Sequence, residues 1–402
     1  MTKARVVFDP FSEDFFNGAY DTYRRMREEA PVYYSEPYDF YALTRHADVA
    51  PAFKDFETYS SAYGVDLSMV KAGGVPSGMR SIIFMDPPAH RSMRSLLNKV
   101  FTPRAIQSQT EMVRAKVQKY LSRLDPDGFD AVQDFTAPFP VEVITTMLGV
   151  PEEHSQQIRH WIDESLSREV GQVEVSERAM QIHIETGMFY YDLVQKRRAE
   201  PRDDLFSRLI AAEVEREDGS TEKLDDIEIA GFATLLGGAG AGTVTKLVGN
   251  AVYMFAKHPD QWQKLLDDRS KIPAAVEELL RYEAPSQYNV RRSMRDVQLH
   301  GTTIPEGKPV FLVGGSANRD ERAWTDPDKF DIDRDRTEAQ NLGLGYGIHS
   351  CLGAALARLE SATALDVLLD FMPRYEVDWD GCQRVHMQNV AGWQNVPVRV
   401  VR

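Results

Sequence analysis

The 402-residue sequence predicts a mainly α-helical protein with a minor antiparallel β region, folded as a single domain over residues 1–402. Three observations support this prediction. Segments with helical periodicity, many bounded by helix start and stop signals, dominate the chain. The strand-like segments are short and lie near the two ends of the sequence. No Gly/Ser-rich or Pro-rich linker, repeat or low-complexity block divides the chain into separate units.

The predicted elements follow one another along the whole chain. The predicted helices span residues 19–29, 103–124, 152–167, 175–199, 225–257, 273–281 and 352–372. The predicted strands span residues 31–34, 40–44, 297–300 and 309–313, and a turn at 304–307 is expected to join the last two as a hairpin. Asp225 and Glu228 have the spacing of a capping box, so they are expected to start a central helix about 50 Å long.

Composition and charge exclude several classes of protein. With 43% hydrophobic and 27% charged residues, the chain is typical of a soluble globular protein. The net charge of −14 argues against binding to nucleic acid or to an anionic membrane surface. Since neither a signal peptide nor an uncharged apolar stretch of about 18 residues is found, we expect a cytoplasmic protein with no membrane partner. We also expect a monomer with no nucleic-acid partner.

The two cysteines, Cys351 and Cys382, are too few for a disulfide framework or a zinc site built from several thiolates. The nine histidines show no His-Glu-x-x-His or similar pairing, so a histidine-based metal site has little support. Any special thiol chemistry therefore rests on a single cysteine.

The segment that surrounds Cys351 is the most informative in the sequence. It runs from Gly343 to Gly353 as GLGYGIHSCLG and leads directly into a helical run. Its glycines permit close backbone approach, and the helix start adds partial positive charge, so both features favour a thiolate, which binds iron or attacks an electrophile. The alternatives are a buried structural cysteine beside a helix cap, and a nucleophile pair with His349, which the tight loop disfavours.

This loop resembles the haem-binding loop of the cytochrome P450 family, in which Phe-Gly-x-Gly-x-His-x-Cys-x-Gly carries the axial thiolate. The matching residues are Gly345, Gly347, His349, Cys351 and Gly353, whereas Leu344 stands where the family usually has phenylalanine. The resemblance implies the cytochrome P450 fold, with haem b (iron protoporphyrin IX) as the cofactor and Cys351 as the iron ligand. Leu344 is expected to alter sulfur electronics or haem affinity without removing that ligand.

Two further motifs extend the resemblance over nearly the whole chain. Glu278 and Arg281 share one helical face, and on their own such pairs are usually surface charges. In the family this pair joins a later arginine, here Arg334, in a structural ion-pair cluster. His90 and Arg94 lie four residues apart, which would otherwise suggest a surface helix after two prolines. The resemblance implies that both, with Arg291 and His349, hold the haem propionates.

The central helix contains Gly237, Gly238, Gly240 and Gly242, although each glycine inside a helix costs about 1 kcal/mol relative to alanine. One explanation is close packing between helices, and the other is a distorted turn that makes room for a ligand beside the haem. The resemblance favours the second, because Thr243 falls at the family's oxygen-activating threonine.

Most family members carry an acid before that threonine, whereas this chain has Gly242. Proton delivery must then use water, Thr245, a substrate group or another side chain, and we expect Thr243 to organise a water chain. Peroxide-driven chemistry is an alternative. The oxygen groove and substrate contacts are assigned to Gly238, Ala239, Gly242 and Val290.

The resemblance implies a haem-thiolate monooxygenase that inserts one atom of O2 into a small, mostly apolar organic substrate. Because the chain has no flavin, nicotinamide or iron–sulfur segment, electrons are expected from a separate ferredoxin with its reductase. Arg91, Lys99, Arg104 and Arg358 are candidates for a positive docking patch, although solvated helix faces explain them equally well. Substrate contacts are expected from residues 63–79, 286–290 and 390–395. A non-catalytic haem sensor and a structural protein without haem are the alternative functions.

Overall fold

The computed structural model describes residues 5–75, 81–98, 101–215 and 219–401. In that part of the chain the α-helices are α1 Glu13–Phe16, α2 Tyr20–Glu29, α3 His46–Lys54, α4 Leu67–Lys71, α5 Ala89–Asn98, α6 Pro103–Gln107, α7 Thr110–Leu121, α8 Pro138–Leu148, α9 Ser155–Leu166, α10 Glu177–Ala199, α11 Leu205–Ala211, α12 Asp226–Lys257, α13 Pro259–Asp267, α14 Ile272–Tyr282, α15 Gly314–Ala317 and α16 Ala354–Phe371. A π-helical turn spans Ala131–Thr136.

Short strands account for the β structure of the same residues. They are β1 Val32–Ser35, β2 Phe40–Leu43, β3 Tyr59–Ser60, β4 Phe129–Asp130, β5 Glu213–Glu215, β6 Thr221–Lys223, β7 Asn289–Ser293, β8 Val297–Leu299, β9 Thr302–Ile304, β10 Pro309–Leu312, β11 Tyr375–Val377, β12 Gln383–Arg384, β13 Trp393–Asn395 and β14 Pro397–Val400. The mainly α fold with small, mostly antiparallel sheets is therefore confirmed.

The predicted helices are present, with one correction. The segment 103–124 is not one helix but two, α6 and α7, which are separated by Ser108 and Gln109. The Ser108 hydroxyl donates to the Ala105 carbonyl, and the Thr110 hydroxyl donates to the Gln107 carbonyl. These side chains compete with the backbone for helical hydrogen bonds, which explains the break.

The largest sheet has the strand order β1-β2-β10-β7-β3 and joins strands from residues 32–60 to strands from residues 289–312. Its pairs are antiparallel except β2 and β10, which run parallel with Val310 opposite Tyr41. The predicted hairpin through turn 304–307 is wrong, since β8 pairs with β9 instead. His300 and Gly301, with φ of 51° and 77°, form the turn between those two strands, as two-residue hairpins require.

Helix α12 is the core of the helical part and packs against α8, α9, α10 and α16. It begins with the expected capping box, in which Asp225 accepts from the Glu228 N–H and Glu228 accepts from the Asp225 N–H. Its length and apolar composition would also suit a membrane span, but half of its most apolar window is buried inside the protein. That burial is typical of a core helix.

Candidate functional site

The cysteine loop lies between two helix ends and leads into α16. A Cβ atom added at Gly343 would overlap with the Leu280 carbonyl near the end of α14. Gly347 has a φ of +74°, and a Cβ there would overlap with the Phe53 carbonyl near the end of α3. Because neither position has room for a side chain, the two glycines allow the loop to lie directly on α3 and α14.

Cys351 lies near the end of this loop, three residues before α16 begins at Ala354. Its N–H donates to the Leu344 carbonyl at 2.8 Å, a backbone contact that does not depend on the side chain at position 344. The residue as a whole is exposed, yet the surrounding protein desolvates the sulfur and raises the pKa of the thiol. The Gly353 N–H, Arg94 and Arg358 oppose this shift without outweighing it. The N–H of Gly353 therefore acts toward the thiolate, as expected from the sequence, and burial of the sulfur acts against it.

Four basic side chains from separate parts of the sequence come together beside the loop. His90 and Arg94 lie on α5, Arg291 on β7, and His349 two residues before Cys351. The His90 and His349 rings have centroids 4.3 Å apart, and the Nη2 of Arg94 donates to the Ser350 carbonyl at 2.7 Å. The structure thus brings together all four residues that the sequence assigned to the haem propionates.

Burial lowers the pKa values of all four groups, including that of Arg94. The pKa of His90 falls to about 4, through burial and then Arg94, and that of His349 falls to about 3, through burial, Arg291 and His90. The pKa of Arg291 falls to about 10 because its guanidinium is buried. Asp86 is the anion that opposes the shifts of His90 and Arg291, and it also accepts hydrogen bonds from Ser60 and Ser61.

The arrangement fits a bound group that carries carboxylates. The Nε2 atoms of His90 and His349 are buried and have no hydrogen-bond partner among the described residues. Buried polar atoms without a partner are costly, and carboxylates placed among these donors would satisfy them and favour their charged forms. Iron protoporphyrin IX has two propionates for such donors and an iron for a thiolate, so the residues present fit haem.

The ion-pair cluster lies at α14, behind the loop. The carboxylate of Glu278 accepts from the Nε of Arg281 at 2.8 Å and from its Nη2 at 2.7 Å. The Nε of Arg334 approaches the same carboxylate at 3.2 Å. The Arg281 guanidinium also donates to the carbonyls of Asn318 and Pro327. Since these side chains are almost fully buried, the cluster fixes the chain segments that carry the loop.

The glycines of α12 divide into two groups. A Cβ at Gly237 would overlap with the Tyr190 hydroxyl, and a Cβ at Gly240 would lie 3.1 Å from Ile144, so these two positions allow close packing of α10 and α8. A Cβ at Gly238 would meet nothing within 4 Å, and one at Gly242 would only touch Ile162 at 3.7 Å. Close packing between helices therefore explains Gly237 and Gly240, whereas Gly238 and Gly242 have room for a side-chain atom.

The helix is continuous through these glycines, so the expected distorted turn is not observed. The Thr243 hydroxyl donates to the Ala239 carbonyl at 2.9 Å, and Ala239, Gly242 and Thr243 lie on one face of the helix. Room beside Thr243 comes from the missing side chains, not from a break in the helix.

Two of the predicted substrate segments are neighbours in the structure. Ser286 and Val390 form a β-bridge, and the Ala391 N–H donates to the Pro285 carbonyl at 2.7 Å. Val290 is fully buried on β7, next to Arg291. Of the third segment, 63–79, residues 76–79 lie outside the described residues.

Of the four basic residues predicted to form a docking patch, two are exposed and one is in an ion pair. Arg91 and Arg104 are exposed, but Arg358 is paired with Glu277, with Nε and Oε1 2.5 Å apart. Lys99 lies outside the described residues.

One charged pair near this helix face was missed by the sequence analysis. Lys246, one turn after Gly242, is buried, and its Nζ lies 3.3 Å from the Oδ1 of Asp163 on α9. A lysine within an otherwise apolar helix was the available signal. Its partner could not be identified, because the two residues are 83 positions apart in the chain.

Comparisons with known proteins agree with this site. A family model described as Cytochrome P450 matches residues 12–384. The chain is 42% identical to the Putative cytochrome P450 123 of Mycobacterium tuberculosis over 396 residues, which cover 98% of this chain and 97% of that protein. It is 35% identical to the Erythromycin C-12 hydroxylase of Saccharopolyspora erythraea over 378 residues, or 93% and 92% of the two chains.

Solved structures give the same result. A structure of a mutant of P450 EryK in complex with erythromycin B matches with a TM-score of 0.86 and 34% identity, covering 96% of each chain. The structure of CYP109E1 from Bacillus megaterium in complex with testosterone matches with a TM-score of 0.85 and 29% identity, covering 96% of this chain and 99% of that one. From its sequence and its fold alike, the chain belongs to the cytochrome P450 family.

Proposed function

We propose that the chain inserts one oxygen atom from O2 into a small, mostly apolar organic substrate, with electrons from a separate ferredoxin and its reductase. The haem b cofactor, the monooxygenase class of oxidoreductase and a need for redox partner proteins come with the family. The proposal adds the type of substrate and the electron donor. We also propose that the 402-residue chain forms one domain and catalyses this reaction as a monomer in the cytoplasm.

The observation that carries the proposal is the group of buried and half-buried basic side chains beside Cys351. His90, Arg94, Arg291 and His349 would hold the propionates of the haem, and Cys351 would bind its iron. When bound, haem supplies reductive activation of oxygen, and a thiolate ligand promotes cleavage of the O–O bond. Gly345 and Gly347, both with positive φ, shape the loop that positions the sulfur.

The test is the ferrous carbon-monoxide spectrum of the purified holoenzyme. We expect the Soret band of a thiolate ligand in the parent protein and its loss in Cys351→Ser. Cys382→Ser is the matched control, since Cys382 donates to the Asp378 carbonyl far along the chain and should leave the spectrum unchanged. A thiolate-type band that survives in Cys351→Ser would contradict the assignment.

Thr243 is proposed to organise water in the open part of α12, beside Gly238, Ala239 and Gly242. Its hydroxyl already donates to the Ala239 carbonyl, so its lone pairs remain for water. At Gly242, the neighbour of Thr243, an added Cβ would meet only Ile162, at 3.7 Å, which leaves room for that water.

The substrate is proposed to lie against this groove, Val290 and the neighbouring segments 286–290 and 390–395. Pockets with mostly apolar walls and a few polar groups select apolar molecules with a polar handle. Two similar proteins are named or titled with erythromycin, and another was solved with testosterone, which agrees with this chemistry. Changes in the ferric spin state, measured over a panel of such compounds, would identify the substrate.

A peroxide-driven reaction is the second candidate, because Gly242 leaves this position without the usual acid. Product formation with hydrogen peroxide alone would support it. Product formed only with reductase, ferredoxin and O2 would support the monooxygenase proposal. The sensor and the structural protein are not retained, since the family is enzymatic.

A further inference from the structure

The inference starts from the missing acid at Gly242 and rests on the proposed function. A Cβ at Gly242 would have only the Cγ2 of Ile162 within 4 Å, at 3.7 Å. Ile162 lies on α9, so this helix faces the position from which a carboxylate is absent. The residue that follows it in the chain is Asp163.

Asp163 is connected to α12 by a buried lysine. The Nζ of Lys246 lies 3.3 Å from the Oδ1 of Asp163, and the side chain of Lys246 is only 4% exposed. Its alkyl chain is enclosed by the segment around Gly392, where an added Cβ would lie 2.6 Å from the Lys246 Cγ. A buried ammonium group needs a counterion, and Asp163 provides it.

This pair lies on the helix face that carries Thr243. Gly242, Thr243 and Lys246 occupy positions i, i+1 and i+4, and Ala239 is one turn earlier, so all four share the face assigned to the oxygen groove. The pair thus joins the groove side of α12 to α9.

The two partners differ in their access to water. The side chain of Asp163 is 36% exposed, in contrast to the buried lysine. Arg159, one turn earlier on α9, places its Nη1 3.9 Å from the other carboxylate oxygen. The two cations fix the position of the carboxylate, and its exposure leaves it in reach of solvent, with which it can exchange protons.

We propose that Asp163, positioned by Lys246, replaces the missing acid and relays protons from solvent to the water beside Thr243. Each hydroxylation consumes one substrate C–H bond, one O2, two electrons from the redox partner and two protons, and it yields the alcohol and one water. The Asp163 carboxylate accepts a proton from bulk solvent, and the carboxylic acid so formed passes that proton to the water chain and returns to the carboxylate. The relay leaves no net change on the protein.

The first test is Asp163→Asn in the holoenzyme, since the amide keeps the shape of the side chain and cannot carry the proton. At saturating substrate we expect the rate of O2 consumption to fall at least about tenfold and its solvent deuterium isotope effect to rise. Glu164→Gln is the matched control, because this neighbouring carboxylate is exposed and paired with Arg178. An unchanged rate and isotope effect in Asp163→Asn would overturn the proposal.

The second test moves the acid to its usual place. Asp at position 242 would lie at i and i+4 to Lys246, a favourable spacing for an ion pair, and the site has room for a Cβ. Gly242→Asp in the Asp163→Asn background should return the rate and the isotope effect toward the parent values. If Asp163→Asn is slow and this second change restores neither quantity, Asp163 has only a structural role and the proposal is wrong.

A third measurement separates a relay from a structural contact between α9 and α12. Urea unfolding of the parent, Asp163→Asn, Lys246→Met and the double variant should give a non-zero coupling free energy, which verifies the pairing. The substrate dissociation constant, from the ferric spin shift, should be unchanged in Asp163→Asn. A dissociation constant that rises by as much as the rate falls would overturn the relay.

Failure of the proposed function would be recognised in the parent protein. A parent holoenzyme that consumes no O2 with any substrate and reductase system would overturn that function, and this inference with it. A parent that turns over, with an Asp163→Asn variant that behaves identically, would overturn only the inference.

Discussion

The rings of His90 and His349 lie 4.3 Å apart, and the Nε2 of each is buried without a hydrogen-bond partner in the described part of the chain. Two imidazoles so close together cannot both be charged easily unless an anion lies beside them. The protonation of the two histidines therefore depends on whether an anion is bound beside them. Bound haem should change how the stability of the protein depends on pH.

The first prediction concerns the stability of the haem-free protein. The pKa of His90 is about 4 in the folded protein and about 6.5 in the unfolded chain, so the unfolded state binds the proton more tightly. Stability is then fully present above about pH 6.5 and falls as the pH decreases toward 4, by up to about 3 kcal/mol from this group. Urea unfolding of the parent and His90→Gln at several pH values measures the difference.

His90→Gln should show the shallower pH dependence, because it lacks this titration. Bound haem should also reduce the dependence, since its propionates favour the charged imidazole. Equal slopes for the parent and His90→Gln would contradict the burial of a neutral His90.

A second prediction tests the role of Thr243. Thr243→Ala should increase the share of reducing equivalents that is lost as hydrogen peroxide, because water in the groove loses its hydroxyl partner. Thr234→Ala is the matched control, since Thr234 makes the same bond to the Ala230 carbonyl, at 2.9 Å, two and a half turns earlier on the opposite face. Peroxide and product are measured together in one turnover assay, and the same peroxide share in all three proteins would exclude the role.

A third prediction separates the glycines by their surroundings. Gly237→Ala should destabilise the protein by about 1–3 kcal/mol, because the added Cβ overlaps with the buried Tyr190 hydroxyl. Gly187→Ala, in the middle of α10 with nothing within 4 Å of the added Cβ, should stabilise it by up to about 1 kcal/mol. Denaturant unfolding gives both values, and a stabilising Gly237→Ala would refute the packing explanation.

A fourth prediction concerns the electron donor. Arg91→Glu with Arg104→Glu should raise the ferredoxin concentration needed for half-maximal reduction, because both arginines are exposed. Arg91 lies on α5, whose Arg94 contacts the cysteine loop, and Arg104 lies on α6, which packs against α16. Arg202→Glu, an exposed arginine between α10 and α11, is the control. If all three proteins need the same ferredoxin concentration, these arginines do not form the docking patch.

Much of the fold could be predicted because long helices such as α10 and α12 have clear caps and periodicity. Helix α8 was missed, since Pro138 and Pro140 suggest a loop. Pro138 in fact occupies the first turn, where its missing N–H costs nothing, and the helix is apolar on nearly all sides because it is buried.

The site likewise contains residues that the sequence could predict and contacts that it could not. Cys351, His90 and Arg94 belong to motifs with fixed local spacing, so the sequence could assign them. The contact of Lys246 with Asp163 depends on how α9 crosses α12, which no local pattern encodes. The raised pKa of Cys351 was also missed, because burial of the sulfur in the folded protein outweighs the N–H of Gly353.

The parallel pairing of β2 with β10 has a consequence for how the chain is made. Strand β2 can pair with β1 early in synthesis. Its other edge pairs with β10, whose residues 309–312 are made only when about three quarters of the chain has been translated. At ribosomal speeds that interval lasts on the order of tens of seconds, during which an open strand edge is available to other nascent chains. Yield in a heterologous host should therefore depend on how well chaperones shield residues 40–43 until translation ends.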